Sequence, residues 1–155
     1  MINIDLSEII GLGESFNNIS RSVLDENVKQ GLVIAGADVQ STARGLVPVD
    51  TGALRISIAS NVKEGTSLSA EVGPTQPYGK EIEFGRKLGT YVSPNALMGW
   101  AKRKGLNPYA VSKSIMKKGS PAQPFLFPAA DSQLDNVLKI ITQAVVNAFA
   151  TISGK

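Results

Sequence analysis

The sequence predicts one α+β domain over residues 1–155, with a long N-terminal helix, a small antiparallel sheet of three to four strands, a basic helical insertion, and a C-terminal helix packed on the sheet. Three observations lead to this prediction. Apolar residues recur at helical spacing near both ends, short segments between them alternate apolar and polar residues, and a basic run in the second half contains no acidic residue. A chain of 155 residues with 43% apolar content can bury a sizeable core.

The first helix is predicted over residues 14–45. Its apolar positions recur at spacings of three and four: Leu24, Val28, Leu32, Ala35, Val39 and Ala43. Gly31 and Gly36 each weaken an isolated helix by about 1 kcal/mol relative to alanine. They are therefore expected to mark close contact with another backbone, and Gly45 is expected to end the helix.

A sharp turn is predicted at Pro48-Val49-Asp50-Thr51-Gly52. Proline presets its own φ, Asp50 can accept hydrogen bonds from backbone donors just downstream, and Gly52 can adopt a positive φ. The segment should turn the chain from helix into sheet. On spacing alone, a good turn without any further role explains these residues.

Three segments then alternate as strands do: Leu54, Ile56 and Ile58; Leu68, Ala70 and Val72; Tyr78, Lys80, Ile82 and Phe84. This pattern predicts a meander with one face on the helices. Glu81 and Glu83 would lie on the outer face of the third strand. Acidic pairs in such places are far more often solvated, or paired with a neighbour's lysine, than catalytic.

The basic run extends from Phe84 to Ala130 and holds eight cationic residues: Arg86, Lys87, Lys102, Arg103, Lys104, Lys113, Lys117 and Lys118. The run carries +8 and the rest of the chain −5, which together give the net charge of +3. Residues 86–123 are predicted to form an insertion with two short helices, Pro94 to Lys104 and Pro108 to Lys118. Trp100 is expected in the core.

The last helix is predicted to start at Pro128, with Asp131 placed favourably for the helix dipole. Its predicted apolar stripe contains Leu134, Leu138, Ile141, Val145, Ala148 and Ile152. The preceding Phe125-Leu126-Phe127 is expected to be an apolar anchor or an edge strand.

The composition excludes several kinds of chemistry. The chain has no cysteine and no histidine, so disulfides, zinc sites, Ser-His-Asp triads and Cys-His dyads cannot be built within it. No nucleophile motif supports the alternative of a Ser/Lys or carboxylate hydrolase. We therefore predict no catalytic, cofactor or metal site. The acidic N-terminus and the lack of a long apolar run indicate an unexported protein without a membrane span.

Three blocks, in this order, resemble one family. They are Pro48-Val49-Asp50-Thr51-Gly52-Ala53-Leu54-Arg55, then Tyr78 with Glu83-Phe84-Gly85, then Pro124-Phe125-Leu126 with Pro128-Ala129. The set is similar to the putative tail-component family of lambda-like siphophages, whose members are tail-completion or head–tail joining proteins of the neck. The resemblance extends roughly from Val23 to Phe149. The family often has arginine at positions 53 and 123 and threonine at 86, unlike this chain.

The resemblance implies an α+β fold, and the composition predicts a chain without enzymatic activity or cofactor. It also implies a homo-oligomeric ring with six-fold symmetry at the head-proximal end of the tail, in contact with tail terminator or tube proteins and head connector proteins. Such a protein assembles in the bacterial host cytoplasm and is then part of the virion, with genomic DNA passing through its lumen.

Two separate interpretations of the basic run remain open, together with a mixed one in which the lysines face the lumen of the ring and contact the genomic DNA. In the first, Phe125 and Phe127 anchor the interface between subunits, and the basic residues pair with a neighbour's Glu81 and Glu83. In the second, the chain is a DNA-binding module without sequence specificity that uses residues 86–118. The scarcity of aromatic residues for base stacking favours the first interpretation.

Overall fold

A computed structural model describes residues 2–5 and 21–153 and confirms the mixed α+β class with a long helix near each end. The elements follow in chain order: strand β1 (Ile2–Asp5), helix α1 (Arg21–Leu46), helix α2 (Ala53–Ser57), strands β2 (Ile58–Lys63) and β3 (Ser69–Pro74), and helices α3 (Gly79–Phe84), α4 (Pro94–Arg103), α5 (Pro108–Lys118) and α6 (Leu126–Ser153). The part of the first predicted helix before Arg21 lies outside the described residues.

Helices α1 and α6 pack along each other and form most of the core. On α1 the predicted positions from Val28 to Ala43 are buried. On α6 the buried face is Val137, Ile141, Ala144 and Ala148. A Cβ added to Gly31 would lie 3.0 Å from Cβ of Ala144, so this glycine lets the two helices approach closely.

The sheet is antiparallel, with β3 between β1 and β2. Val72 pairs with Ile2 on one side and with Ser60 on the other. Ala70 and Val72 are fully buried in the same core as α1. At Gly36 of α1 an added Cβ would collide with Oγ of Ser60, so both predicted close approaches exist, although they are made to side chains.

The first predicted strand is largely wrong, because residues 53–57 form helix α2 and strand β2 starts at Ile58. Gly52 adopts the left-handed conformation with φ 82°, and its carbonyl accepts a hydrogen bond from the Ile56 amide at 3.0 Å. Leu54 and Ile58 are buried, but Ile56 is 77% exposed. Residues four apart share a helix face, so burial of Leu54 and Ile58 fits a helix as well as a strand.

The third predicted strand is also wrong, since residues 79–84 form helix α3. The described sheet therefore takes only the β2–β3 hairpin from the predicted meander, and β1 is a strand that we did not predict. Tyr78 and Phe84, expected in the core, are exposed, whereas Glu83, expected in solvent, is 3% exposed. Gly79 and Glu83 are both buried and are four residues apart, which is helical spacing.

The two helices of the insertion are confirmed close to their predicted bounds. Asn107 caps α5 by accepting hydrogen bonds from the amides of Tyr109 (2.9 Å) and Ala110 (3.4 Å). Trp100 was wrongly placed in the core: it is 37% exposed, and Ala101 is the buried residue of α4.

The stripe predicted for the last helix is rotated relative to the buried face. Leu134 and Leu138 are about half exposed, and the helix starts at Leu126, so the edge strand predicted there is absent. In the described ranges, no helix is both long and apolar enough to cross a membrane.

Candidate functional site

The second and third motif blocks meet at the carboxylate of Glu83, at the end of α3. Its Oε2 accepts hydrogen bonds from the amides of Phe125 (2.7 Å) and Leu126 (2.9 Å), and its Oε1 from the amide of Phe127 (3.0 Å). These amides lie at the N-terminus of α6, where unpaired N–H groups and the helix dipole favour an anion. Glu83 therefore caps the longest helix of the described residues from another element.

This contact corrects the predicted role of Glu83. A carboxylate that is buried and bound to three amides of its own chain is not available to a neighbour's lysine. Glu81 is partly buried, and its Oε2 accepts no hydrogen bond from the described residues. The interface role predicted for Glu81 stays a prediction.

The two predicted aromatic anchors differ in position. Phe125 is fully buried in the main core, so it is not exposed for an interface. Phe127 is 58% exposed, and its ring meets that of Phe84 edge to face, with centroids 5.8 Å apart and planes at 70°. Phe84 and Phe127 thus form one exposed aromatic pair beside the Glu83 cap.

The two ends of the basic insertion meet at one narrow point, which we call the base of the insertion. Arg86 and Ser120 form a two-way backbone bridge, with both hydrogen bonds at 3.0 Å. A Cβ at Gly85 would lie 2.5 Å from the Ser120 carbonyl oxygen, and one at Gly119 would collide with the Arg86 carbonyl oxygen. Both glycines have a positive φ, of 69° and 73°. Gly85 belongs to the second motif block, whereas Gly119 lies outside all three blocks and was not predicted to have a role.

The first motif block is joined to the insertion by an ion pair between Asp50 and Arg103 of α4. The Arg103 Nε lies 3.2 and 3.0 Å from the two Asp50 oxygens, and its Nη2 also contacts Oδ2. The hydrogen bond from Arg103 lowers the pKa of Asp50, and the positive charges of Arg103 and Lys104 act in the same direction. The predicted backbone contacts of Asp50 are not seen; instead the Thr51 hydroxyl accepts a hydrogen bond from the Ala53 amide at 3.4 Å.

The other basic residues of the insertion are at least partly exposed and form no ion pair among the described residues; we call them the cationic surface: Arg86, Lys87, Lys102, Lys104, Lys113, Lys117 and Lys118. The described residues form three ion pairs, and Arg103 is the only member of the predicted basic set in any of them. A shallow cleft of about 410 Å³ lies on the insertion, with Tyr91, Tyr109 and Lys113 in its lining. Both tyrosines are about two-thirds exposed, so the insertion presents aromatic as well as cationic groups.

Residues 11–85 match the family model described as Bacteriophage HK97-gp10, putative tail-component. Over these residues, which make up just under half of the chain, the predicted resemblance to a phage tail-component family is confirmed. The match contains the first two motif blocks. It ends at the base of the insertion, before the insertion itself and the third block.

Comparison with curated proteins and with solved structures gives no match. The third block is tied to the matched segment by the Glu83 hydrogen bonds described above.

Proposed function

We propose that the chain is a ring-forming subunit of the phage neck that completes the tail and joins it to the head. The observation that supports this best is the cationic surface on the insertion, which lacks acidic partners among the described residues of its own chain. This surface lies on the insertion, outside the matched family segment. Unpaired charges in such a place are suited to contact with another molecule.

In the proposed ring, each subunit uses two different surfaces to contact its two neighbours. Such a heterologous interface forms a closed ring when its rotation closes, here with six subunits. The ring would lie between the tail terminator and the head connector, and DNA would pass through its lumen.

The ring is tested by measuring mass with light scattering, for the chain alone and mixed with the tail terminator. We expect a hexameric mass in at least the mixture. A mass of one subunit in both samples would overturn the proposal. A phage lacking the chain should in addition accumulate separate heads and tails, which join when the chain is added.

A second candidate function is binding of DNA without sequence specificity. The exposed Tyr91 and Tyr109 beside Lys113 support it, because bases can stack on tyrosine while lysine binds phosphate. Gel shifts at two salt concentrations distinguish the candidates: DNA binding predicts strong retardation at low salt that is lost at high salt. Reversal of Lys102 and Lys104 should weaken this retardation, and Arg103 is left intact because it holds Asp50.

A further inference from the structure

Helices α5 and α6 carry the same exposed pattern with opposite charge. On α5 the pattern is aromatic, basic, apolar and basic: Tyr109, Lys113, Met116 and Lys117. On α6 it is aromatic, acidic, apolar and acidic: Phe127, Asp131, Leu134 and Asp135. In both helices the spacing from the aromatic residue is four, seven and eight, which places the four residues along one face.

Both rows are exposed, and Phe127 is the one member in a described ring contact within the chain, with Phe84. The aromatic and apolar members are between 43% and 66% exposed, and the charged members are all exposed. Asp131 and Asp135 make no side-chain hydrogen bond or ion pair with the described residues, unlike Asp50, Glu64 and Glu71, which pair with cations. The α6 row is distinct from the buried face of that helix, which contains Val137 and Ile141.

The charges determine how two copies can meet through these rows. Two α5 rows would bring lysine against lysine, and two α6 rows would bring aspartate against aspartate, which is unfavourable. Only α5 against α6 pairs opposite charges. In both rows the charged residues lie on the same side of the aromatic and apolar residues. Antiparallel helices therefore bring Lys113 and Lys117 to the same side of the contact as Asp135 and Asp131, whereas parallel helices would place them on opposite sides.

We propose that the α5 row of one copy docks antiparallel on the α6 row of the next copy. The occupant of each row is therefore a second copy of this chain. The contact is heterologous, as a ring requires. This inference rests on the proposed ring and assigns its interface, and it replaces Glu83 by Asp131 and Asp135 as the acidic partners of the insertion.

The test is a charge exchange in the full chain, read by sedimentation velocity with and without the tail terminator. We expect Lys113→Glu with Lys117→Glu, and separately Asp131→Lys with Asp135→Lys, each to weaken self-association by about 100-fold. The variant with all four changes should regain it. The control, Asp25→Lys with Glu26→Lys, changes the charge of an exposed part of α1 equally and should leave association unchanged.

Cysteine cross-linking provides a second measurement, because the native chain has no cysteine. Under mild oxidation, Met116→Cys with Leu134→Cys should link neighbouring copies into a ladder, whereas Met98→Cys with Leu134→Cys should not. Met98 is 49% exposed on α4 and serves as the matched control.

The outcomes separate the two proposals. Oligomers that persist in both charge-reversed variants and do not cross-link through positions 116 and 134 would overturn this interface and leave the ring intact. A wild-type chain that is monomeric alone and with the terminator would overturn the ring and the interface together.

Discussion

Glu83 shows how one side chain can connect distant parts of the sequence. Its carboxylate binds three amides more than 40 residues away and is buried while doing so. A buried carboxylate is stable only when its oxygens are well satisfied, and here the N-terminus of α6 satisfies them. The acidic residue in the second motif block is thus explained by the geometry of the third block.

Replacing Glu83 by alanine should lower the free energy of unfolding by about 2 to 4 kcal/mol, because three amides at the start of α6 lose their acceptor. Urea denaturation measures this loss. Glu81→Ala, two positions away on the same helix, is the control and should cost far less. Equal losses in the two variants would contradict the capping role.

The two glycines at the base of the insertion, Gly85 and Gly119, should be among the described positions that least tolerate substitution. Gly119 has φ 73° and ψ −163°, a conformation that is essentially restricted to glycine. Gly119→Ala should cost about 3 kcal/mol, because strain adds to the collision with the Arg86 carbonyl oxygen.

The control for Gly119→Ala is Gly89→Ala. Gly89 also has a positive φ, 86°, but an added Cβ there would meet no atom within 4 Å. Its substitution should cost about 1 kcal/mol, from the backbone conformation alone. Equal thermal stability of the two variants would show that the base of the insertion is not closely packed.

At the scale of elements, α6 carries two apolar surfaces with different roles. One packs on α1, and the other, with Leu134 and Leu138, is exposed. Both have helical spacing, so periodicity alone does not distinguish core from exposed surface.

Truncation on the two faces of α6 should differ strongly in effect. Ile141→Ala, at a position 1% exposed, should destabilise the isolated subunit by about 3 kcal/mol. Leu138→Ala should cost about 0.5 kcal/mol or less, since that side chain is already half exposed. Chemical denaturation of both variants at a concentration where the chain is monomeric tests the assignment. A larger loss for Leu138→Ala would reverse it.

The Asp50–Arg103 pair should hold α4 to the motif turn in a pH-dependent way. Because the pKa of Asp50 is lowered below its usual 3.8, the pair stabilises the folded state above that pH. Its contribution is lost only as the pH falls through the lowered value. Carbon NMR titration of the Asp50 carboxyl measures this pKa, which should return toward 3.8 in Arg103→Gln. An unchanged pKa in that variant would show that Arg103 is not its cause.

At the scale of the whole molecule, the insertion and the body bury their residues separately. Val92 and Ala101 are buried in the insertion but are not part of the main core cluster, which contains residues of α1, α6 and the sheet. The backbone bridge between Arg86 and Ser120 brings the two ends of the insertion side by side. The body should therefore fold without the insertion, while the insertion carries the cationic surface.

Replacing residues 88–117 by a glycine-serine linker of about four residues should keep the body folded, because such a linker can span an antiparallel pair of this kind. Circular dichroism should retain a cooperative transition, and light scattering should show loss of self-association. An unfolded product would show that the insertion is part of the body's core. A folded product that still forms oligomers would contradict a role of the insertion in assembly.

The sequence by itself determined the class of fold, the two long helices, the two insertion helices, and the family resemblance. These features depend on local patterns, namely apolar periodicity, capping residues and short motifs, which act over a few turns of chain. Tertiary structure decided the helical state of residues 53–57 and 79–84, the face of α6 that is buried, and the partners of Glu83 and Asp50. Each of these depends on contacts between residues far apart in the chain. A short alternating segment fits a helix as well as a strand, and its local pattern does not contain the distant contacts that select one of the two.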